Sequence, residues 1–311
     1  MSFLITGGTG FIGSYVVKEL DKLGEEVLIL SRSGKSIFSF SKNLIIGDIK
    51  DFNKLLNICR EREVKRIIHL AGYTTYLCQS NLRDCLEINC VGTYNLLELA
   101  RRLDVERFIF SSTATIYGDV KIPKSGAYEG MPVNPVTFYA ISKLMGENLG
   151  LYYLKNYGID FGAFRISGAY GYSNISDVNR EYTLSEKFRI LVEGALKGKD
   201  VIIEKGGLVK VDWVYVEDCA WLLVKASLIK NKLPHNIYNL GSGYCKTLLQ
   251  ISKIIKKLIP NSKIKVLRKK EANYPSLGPL NIKRAKEDFG YKPRSIEEGL
   301  KDYISLAKKF L

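Results

Sequence analysis

The chain has 311 residues, 46% of them hydrophobic and 25% charged, which is the composition of a globular protein with a sizeable core. Its six cysteines form no CxxC pair and it has only two histidines, so the sequence predicts neither a metal cluster nor a disulfide framework. No apolar run approaches the roughly 18 residues of a membrane span. A glycine-rich motif beginning at Thr6 leaves no room for a signal peptide, so we expect a cytoplasmic protein without a membrane partner.

The formal net charge of +15 is concentrated near the C-terminus. From Lys246 to Leu311 there are 17 Lys and Arg residues against 6 Asp and Glu, an excess of 11. Lysines there alternate with apolar residues, which favours a solvated outer face, with attraction of an anionic substrate as the alternative. Because the lysine-rich stretch lacks stacking aromatic residues, it does not predict nucleic-acid binding.

The first half of the chain alternates apolar strand patterns with amphipathic helical patterns. Short strands separated by helices indicate right-handed crossovers, and hence a Rossmann-like α/β fold: a doubly wound parallel sheet with helices on both faces. The predicted strands are, in chain order, FLIT, VLIL, NLIIGD, RIIHLAG, RFIFSS and DFGAFRI.

The first strand runs into TGGTGFIG, which has glycines at positions 7, 8, 10 and 13. Glycine permits a tight turn and lets the backbone approach a pyrophosphate, whose charge would meet the exposed amides at the start of the next helix. A lone glycine motif is weak evidence, but this one stands between a strand and a helix at the start of the alternating pattern. It predicts a dinucleotide-binding site.

The second strand ends in Ser31 and Arg32, where a carboxylate would hold the ribose 2′-hydroxyl of NAD. Ser31 removes the repulsion of a 2′-phosphate and Arg32 could grip that phosphate, so the two residues favour NADP. Projection of Arg32 into solvent, or its stacking on adenine, is the alternative.

Two further strand ends offer cofactor contacts. Asp48, after the third strand, could accept a hydrogen bond from the adenine amino group while Ile49 packs on the ring; an ordinary turn acid is the alternative. Ala71 and Gly72, after the fourth strand, are small enough for a ligand to pass closely.

The fifth strand and the following helix carry groups that could perform acid–base chemistry. Tyr139 and Lys143 are four residues apart and so lie on one face of a helix. A lysine ammonium near a phenol lowers the pKa of the phenol, and the pair can then move a proton without histidine. Four hydroxyl residues end the strand at the edge where parallel sheets bind ligands: Ser111, Ser112, Thr113 and Thr115.

After Arg165 the alternation breaks, which predicts a smaller, interleaved α/β region for substrate binding. A helical pattern spans Leu184 to Leu196, and Tyr238 to Gly241 is typical of a strand that returns to the sheet. We therefore assign residues 1–166, with 236–244, to an NAD(P)-binding domain. Residues 167–235 and 245–311 form the predicted substrate-binding region.

Taken in order, TGGTGFIG, GDI, HLAG, INCVGT, SSTATIYG and YAISK resemble the extended short-chain dehydrogenase/reductase family. The resemblance is greatest to its NAD-dependent epimerase/dehydratase branch and the UDP-glucose 4-epimerase-like proteins within it, and it covers nearly the whole chain. It implies that Tyr139 is the catalytic acid–base residue, that Lys143 binds the nicotinamide ribose, and that Thr113 binds substrate. The implied cofactor contacts are Gly7, Gly10, Phe11, Ile12, Gly13, Asp48, Ile49, Leu70, Ala71, Gly72 and Asn89, to which we add the strand-end Ser111.

The resemblance further implies a nucleotide-sugar 4-epimerase that works through a transient 4-keto sugar with bound NAD(P). The segment Thr113, Ala114 and Thr115 has no acid of the kind that dehydratases and decarboxylases of the family carry there. The resemblance favours NAD, whereas the end of the second strand favours NADP.

Three departures from the epimerase pattern concern substrate binding. Val211 and Gly168 stand where an arginine and an asparagine are expected, Asn281 stands for an acid, and Lys210 is the nearest candidate phosphate contact. An NAD(P)-dependent dehydrogenase or reductase, of a sugar nucleotide or another small alcohol or ketone, is therefore the alternative. A non-catalytic cofactor-sensing protein is a third possibility, against which the Tyr139 and Lys143 pair argues.

Two apolar helical segments, GTYNLLELARRL and SKLMGENLGLYYLKNYG, resemble the paired dimerisation helices of the family. They predict a homodimer, although their apolar faces could equally pack on the sheet alone.

Overall fold

The computed structural model describes residues 2–32, 38, 43–173, 183–269 and 278–311. The strands in these ranges are β1 Ser2–Thr6, β2 Glu26–Ser31, β3 Leu44–Ile46, β4 Val64–His69, β5 Arg107–Thr113, β6 Asp160–Ile166, β7 Gly168–Tyr170, β8 Val201–Ile203, β9 Lys210–Tyr215, β10 Ile237–Leu240, β11 Cys245–Thr247 and β12 Ile264–Val266. The α-helices are α1 Phe11–Lys22, α2 Phe52–Glu61, α3 Thr75–Ser80, α4 Leu82–Cys85, α5 Gly92–Arg102, α6 Phe138–Tyr157, α7 Leu184–Leu196, α8 Val216–Leu228, α9 Leu248–Leu258, α10 Lys283–Phe289 and α11 Ile296–Ala307. A π-helix, Leu86–Val91, joins α4 to α5, and a 3₁₀ helix, Ala114–Tyr117, follows β5.

Seven parallel strands form the central sheet in the order β10-β6-β5-β4-β1-β2-β3. The chain runs outward from β1 to β3 and then returns to β4 on the other side of β1, so the strand order reverses there. In open α/β sheets this reversal leaves a crevice at the carboxyl ends of the strands, where ligands bind. The predicted doubly wound sheet is confirmed, and β10 pairs in parallel with β6 where the sequence predicted a returning strand.

The central strands are buried on both faces, which explains why they read as continuous apolar runs rather than alternating patterns. All five residues of β1 are buried. Phe3 and Ile5 pack into the core on one face of the sheet, whereas Leu4 packs into the core on the other.

The later part of the chain adds two small sheets, in the orders β11-β9-β7 and β12-β8. The helix predicted from the pattern is α7, with the same bounds. Part of the YGYSNISDVNREY segment that precedes it lies outside the described residues. No helix among the described ranges combines the length and apolar character needed to cross a membrane.

The expectation that the cysteines form no disulfide is wrong for one pair. Cys78 on α3 and Cys85 on α4 are bonded, with their Cα atoms 4.9 Å apart. The turn at Asn81, whose side chain caps α4 by accepting a hydrogen bond from the Asp84 amide, brings the two short helices together. A separation of seven residues does not reveal such a contact from sequence spacing alone.

Candidate active site

A cavity of about 420 Å³ opens at the carboxyl ends of the central strands. Its walls combine the segments after β1, β4, β5 and β6 with residues of α6, α7 and α11. Ten residues predicted from the sequence line it together: Gly7, Gly10, Phe11, Ile12, Gly13, Leu70, Gly72, Ser111, Thr113 and Tyr139, joined by Lys143 as an eleventh.

The glycine-rich turn forms one end of this cavity. Gly7 has φ of +67°, and a Cβ there would lie 2.7 Å from the Ala71 nitrogen. A Cβ on Gly13 would collide with the Gly7 carbonyl oxygen, which already accepts a hydrogen bond from the Gly10 amide at 2.9 Å. Because any side chain would fill this cradle, and α1 begins directly behind it at Phe11, the turn fits a dinucleotide pyrophosphate.

The end of β2 lies beside the same turn. The Ser31 and Thr9 hydroxyl oxygens are 2.7 Å apart and both residues are buried. The Arg32 guanidinium carbon lies 5.5 Å from the centroid of the Tyr73 ring, and Tyr73 lines the cavity. The structure thus brings Ser31 and Arg32 to the edge of the cavity without including either in its lining.

Four of the other sequence-predicted residues also lie outside the lining. Asp48 accepts a hydrogen bond from the Lys50 amide at 2.9 Å, as a turn acid does, while Ile49 is buried in the core. Ala71 is held by the Thr6 hydroxyl oxygen, which accepts from its amide at 3.3 Å. The fourth residue, Lys210, is exposed on β9.

Three candidate catalytic side chains meet inside the cavity. Tyr139 lies in the first turn of α6, which Thr137 caps by accepting a hydrogen bond from the Ala140 amide at 3.2 Å. The Tyr139 hydroxyl shares a hydrogen bond with Thr113 at the end of β5. The Thr113 oxygen also accepts from the Thr115 amide at 3.2 Å and lies 3.0 Å from the Thr115 hydroxyl.

Burial governs the protonation of this cluster. It raises the pKa of the Tyr139 phenol, and the hydrogen bond with Thr113 opposes that rise. Burial lowers the pKa of Lys143 to about 7, and the carboxylate of Glu147 opposes that fall. The sequence predicted that Lys143 would lower the pKa of Tyr139. In this structure the phenol's desolvation prevails, and the ammonium lies 4.2 Å from the centroid of the Phe110 ring.

A buried ion pair supports the helix that carries Tyr139 and Lys143. Arg165 Nη2 donates to Glu147 Oε2 at 2.8 Å, and the Ser112 hydroxyl donates to Glu147 Oε1 at 2.5 Å. The Tyr117 hydroxyl accepts from Arg165 Nη1 at 3.1 Å. Sequence analysis missed this network, because Glu147 and Arg165 come together only when α6 packs against β5 and β6.

Asn89, in the π-helix, holds the cavity wall from behind. Its Oδ1 accepts from the Tyr73 amide at 2.7 Å, and its Nδ2 donates to the Tyr73 carbonyl at 3.1 Å and to the Ser142 hydroxyl at 2.9 Å. One side chain therefore fixes both backbone groups of a residue that lines the cavity. The π-helical geometry at this point is of a kind often found at functional sites.

Much of the cavity wall was not predicted. The aromatic and hydroxyl run Tyr73, Thr74, Thr75 and Tyr76 follows the small residues after β4, and its position directly after a strand end was the signal available. The opposite wall comes from the later part of the chain, where no motif marked it: Ser167, Ala169, Tyr170, Gly171, Ser173, Thr183, Ser185, Glu186, Phe188, Arg189 and Tyr303.

Two of the departures from the epimerase pattern lie against each other. A Cβ on Gly168 would lie 2.5 Å from Val211 Cγ1 and 3.0 Å from the Trp213 ring. A larger residue at position 168 would therefore need a different partner at 211. The two positions form an apolar contact where the resemblance implies two polar residues.

Comparison with known proteins finds matches over nearly the whole chain. A model of the NAD dependent epimerase/dehydratase family matches residues 3–241. A Methanocaldococcus jannaschii protein, provisionally named UDP-glucose 4-epimerase, is 30% identical over 320 residues that cover 98% of each chain. UDP-glucuronic acid decarboxylase 3 of Arabidopsis thaliana is 30% identical over 314 residues, covering 96% of this chain and 87% of that protein.

Among solved structures, the crystal structure of a Thermotoga maritima UDP-glucose 4-epimerase with UDP-glucose matches with a TM-score of 0.88. The two chains are 27% identical, and the match covers 99% of each. The family model spans well over half of the chain, and the fold agrees with that of a family member. This chain belongs to the NAD dependent epimerase/dehydratase family, as its sequence motifs predicted.

Proposed function

We propose that the protein is a nucleotide-sugar 4-epimerase of the UDP-glucose/UDP-galactose type. The observation that carries the proposal is the cluster of Thr113, Tyr139 and Lys143 in one cavity with the glycine-rich turn. Decarboxylases and dehydratases are relatives too, but here Ala114 and Thr115 follow Thr113. Among the described lining residues the one carboxylate, Glu186, pairs with Arg189 on α7.

The residues of this chain would act as proton carriers. When bound, the nicotinamide cofactor would supply a hydride acceptor and donor. Tyr139, once ionised, takes the proton of the sugar 4-hydroxyl and later returns it to the opposite face of the sugar. Thr113 holds the reacting oxygen, and the charge of Lys143 favours the phenolate against the cost of its burial.

We assign cofactor binding to residues 1–166 with 236–244, and substrate binding to the remainder. The turn from Gly7 to Gly13 would hold the pyrophosphate and Lys143 the nicotinamide ribose. Beyond the NAD that the family uses, we propose that NADP binds at least as well. The end of β2 supports this, because no carboxylate there repels a 2′-phosphate, and Arg32 lies beside the cavity wall on Tyr73.

Calorimetric titration with NAD and NADP tests the cofactor proposal. We expect an NADP affinity equal to or above that for NAD, and an Arg32→Ala variant that loses affinity for NADP alone. A clear preference of the wild-type protein for NAD would show that Arg32 is not a phosphate ligand.

Turnover assays test the reaction. The enzyme should interconvert UDP-glucose and UDP-galactose, or their N-acetyl forms, without net formation of reduced cofactor. Tyr139→Phe should abolish turnover and leave cofactor binding largely intact, because the phenol lies beyond the glycine-rich turn. Unchanged turnover in that variant would discard the mechanism.

A net dehydrogenase or reductase on the same scaffold is the second candidate. The apolar contact between Gly168 and Val211 favours it, because the site then lacks two polar groups that the resemblance implies for nucleotide sugars. Lys210 stays a prediction as a phosphate contact. Stoichiometric production of reduced cofactor from a sugar nucleotide or another small alcohol would establish this candidate over the epimerase.

We also propose a homodimer built on α5 and α6. Large apolar side chains are exposed along the π-helix, α5 and α6: Leu86, Val91, Tyr94, Ile141, Met145, Tyr152 and Tyr157. A second copy of the chain would cover them. Sedimentation should give a dimer, and Ile141→Glu should give a monomer that still binds cofactor, whereas a monomeric wild type would refute the proposal. The cytoplasmic location stays a prediction.

A further inference from the structure

The disulfide between Cys78 and Cys85 lies directly behind the cavity wall. Both residues are fully buried. Asn89 Nδ2 is 3.6 Å from Cys78 Sγ and 3.5 Å from Cys85 Sγ, and the Ser142 hydroxyl is 3.9 Å from Cys85 Sγ. The disulfide therefore packs against two side chains that hold the backbone of the candidate site.

These two side chains act on different parts of the cavity. Asn89 fixes the amide and the carbonyl of Tyr73, as described above. The Ser142 hydroxyl donates to the Tyr139 carbonyl at 2.8 Å and accepts from Asn89 at 2.9 Å. The position of the two sulfurs is thus linked through one hydrogen bond each to the wall and to the first turn of α6.

The two sides of the disulfide differ in how firmly they are anchored. Helix α3 has six residues, places Thr75 and Tyr76 in the cavity wall, and carries Cys78. Helix α6 has twenty residues and packs along β5 and β6. When the bond between the sulfurs is broken, they must move from bonding distance to van der Waals separation. The short helix α3 is the part that gives way.

We propose that Cys78 and Cys85 form a thiol–disulfide exchange site that sets the affinity of the cavity for its substrate. In the oxidised form the bond holds α3, and with it the Tyr73–Tyr76 wall, against Asn89. In the reduced form α3 moves away and the wall loosens, which raises KM. The value of kcat changes little, because Thr113, Tyr139 and Lys143 lie on β5 and α6.

The exchange takes a dithiol as its co-reactant. A thiolate of the dithiol attacks one cysteine sulfur, the bond between Cys78 and Cys85 breaks, and a mixed disulfide forms. The second thiol of the dithiol then displaces the remaining cysteine. The dithiol leaves as a disulfide, and the protein has gained two electrons and two protons. Because both sulfurs are buried, exchange proceeds through local opening at the exposed turn Ser80, Asn81 and Leu82.

Thiol titration and hydrogen exchange test the site in the full-length protein, purified without reductant. After denaturation we expect four reactive thiols from the six cysteines, and six after treatment with dithiothreitol. The amides of residues 73–80 should exchange faster in the reduced protein, whatever the substrate is. Six thiols in the untreated protein, or identical exchange in both forms, would overturn the proposal.

Kinetics test the consequence for substrate binding, and this part rests on the proposed epimerase function. Reduction should raise KM for UDP-galactose about fivefold and leave kcat within about twofold. A Cys78→Ser/Cys85→Ser variant should show the high KM with and without dithiothreitol. Cys245→Ser, on β11, serves as the matched control and should keep the response. Equal KM in both forms would overturn the proposal. If no nucleotide sugar is turned over, the function fails instead, and hydrogen exchange decides this site.

Discussion

Replacing Lys143 by methionine should stabilise the fold while abolishing turnover. Lys143 is 5% exposed, and burial lowers its pKa from the usual 10.5 to about 7. Between these two values the unfolded chain binds the proton more readily than the folded chain does, so the ammonium favours unfolding. Methionine occupies a similar volume and brings no charge into the site.

The magnitude follows from the two pKa values. At about 1.36 kcal/mol per pH unit, the cost of burying the ammonium is about 4 kcal/mol at pH 6 and about 2 kcal/mol at pH 9, where the unfolded chain holds its proton less tightly. Wild-type stability therefore rises with pH between about 7 and 10.5 through this residue. At roughly 2 °C per kcal/mol for a chain of this size, the variant should melt about 8 °C higher at pH 6 and about 4 °C higher at pH 9.

Differential scanning calorimetry at the two pH values measures both the sign and the trend. Lys155→Met, an exposed lysine on the same helix, is the matched control and should change the melting temperature little at either pH. A Lys143→Met variant that melts at or below the wild type would refute the reasoning. So would a difference that does not shrink from pH 6 to pH 9.

Three further changes probe other parts of the molecule. Thr115→Val removes the hydroxyl beside Thr113 and should lower kcat several-fold at unchanged cofactor affinity, with Thr115→Ser as the control in steady-state assays. Gly13→Ala should weaken cofactor binding at least tenfold by calorimetry, because its Cβ would displace the glycine-rich turn; Gly130→Ala, in a roomy position, should not. Asp160→Asn removes a charge from the buried pair with Arg107 and should cost about 3 kcal/mol in urea unfolding, and a loss below 1 kcal/mol would contradict this.

Features that depend on local spacing could be predicted from the sequence. The turn that begins at Gly7 needs a positive φ and room for no side chain, and only glycine satisfies both, so its pattern is visible in the chain. The four-residue spacing of Tyr139 and Lys143 places both on one face of α6 and, in the structure, in one cavity. Continuous apolar runs likewise identify the strands of a parallel sheet that is buried on both faces.

Features that depend on packing between distant segments could not be predicted. The pair of Glu147 and Arg165 forms because α6 lies across β5 and β6, and neither residue has a sequence neighbour that reveals the other. The Cys78 disulfide depends on the angle at which two short helices meet. The rise in the pKa of Tyr139 reflects how far the folded chain excludes water, which the order of residues does not state.

The place of β10 in the central sheet has a consequence for how the chain folds. It pairs with β6, although the segment from Ile166 to Ile237 separates the two strands in sequence. During synthesis β6 therefore stays an open sheet edge until that segment has emerged, and such edges are templates for aggregation. A fragment ending at residue 166 would contain every predicted cofactor contact and yet expose this edge, so we expect it to aggregate rather than fold alone.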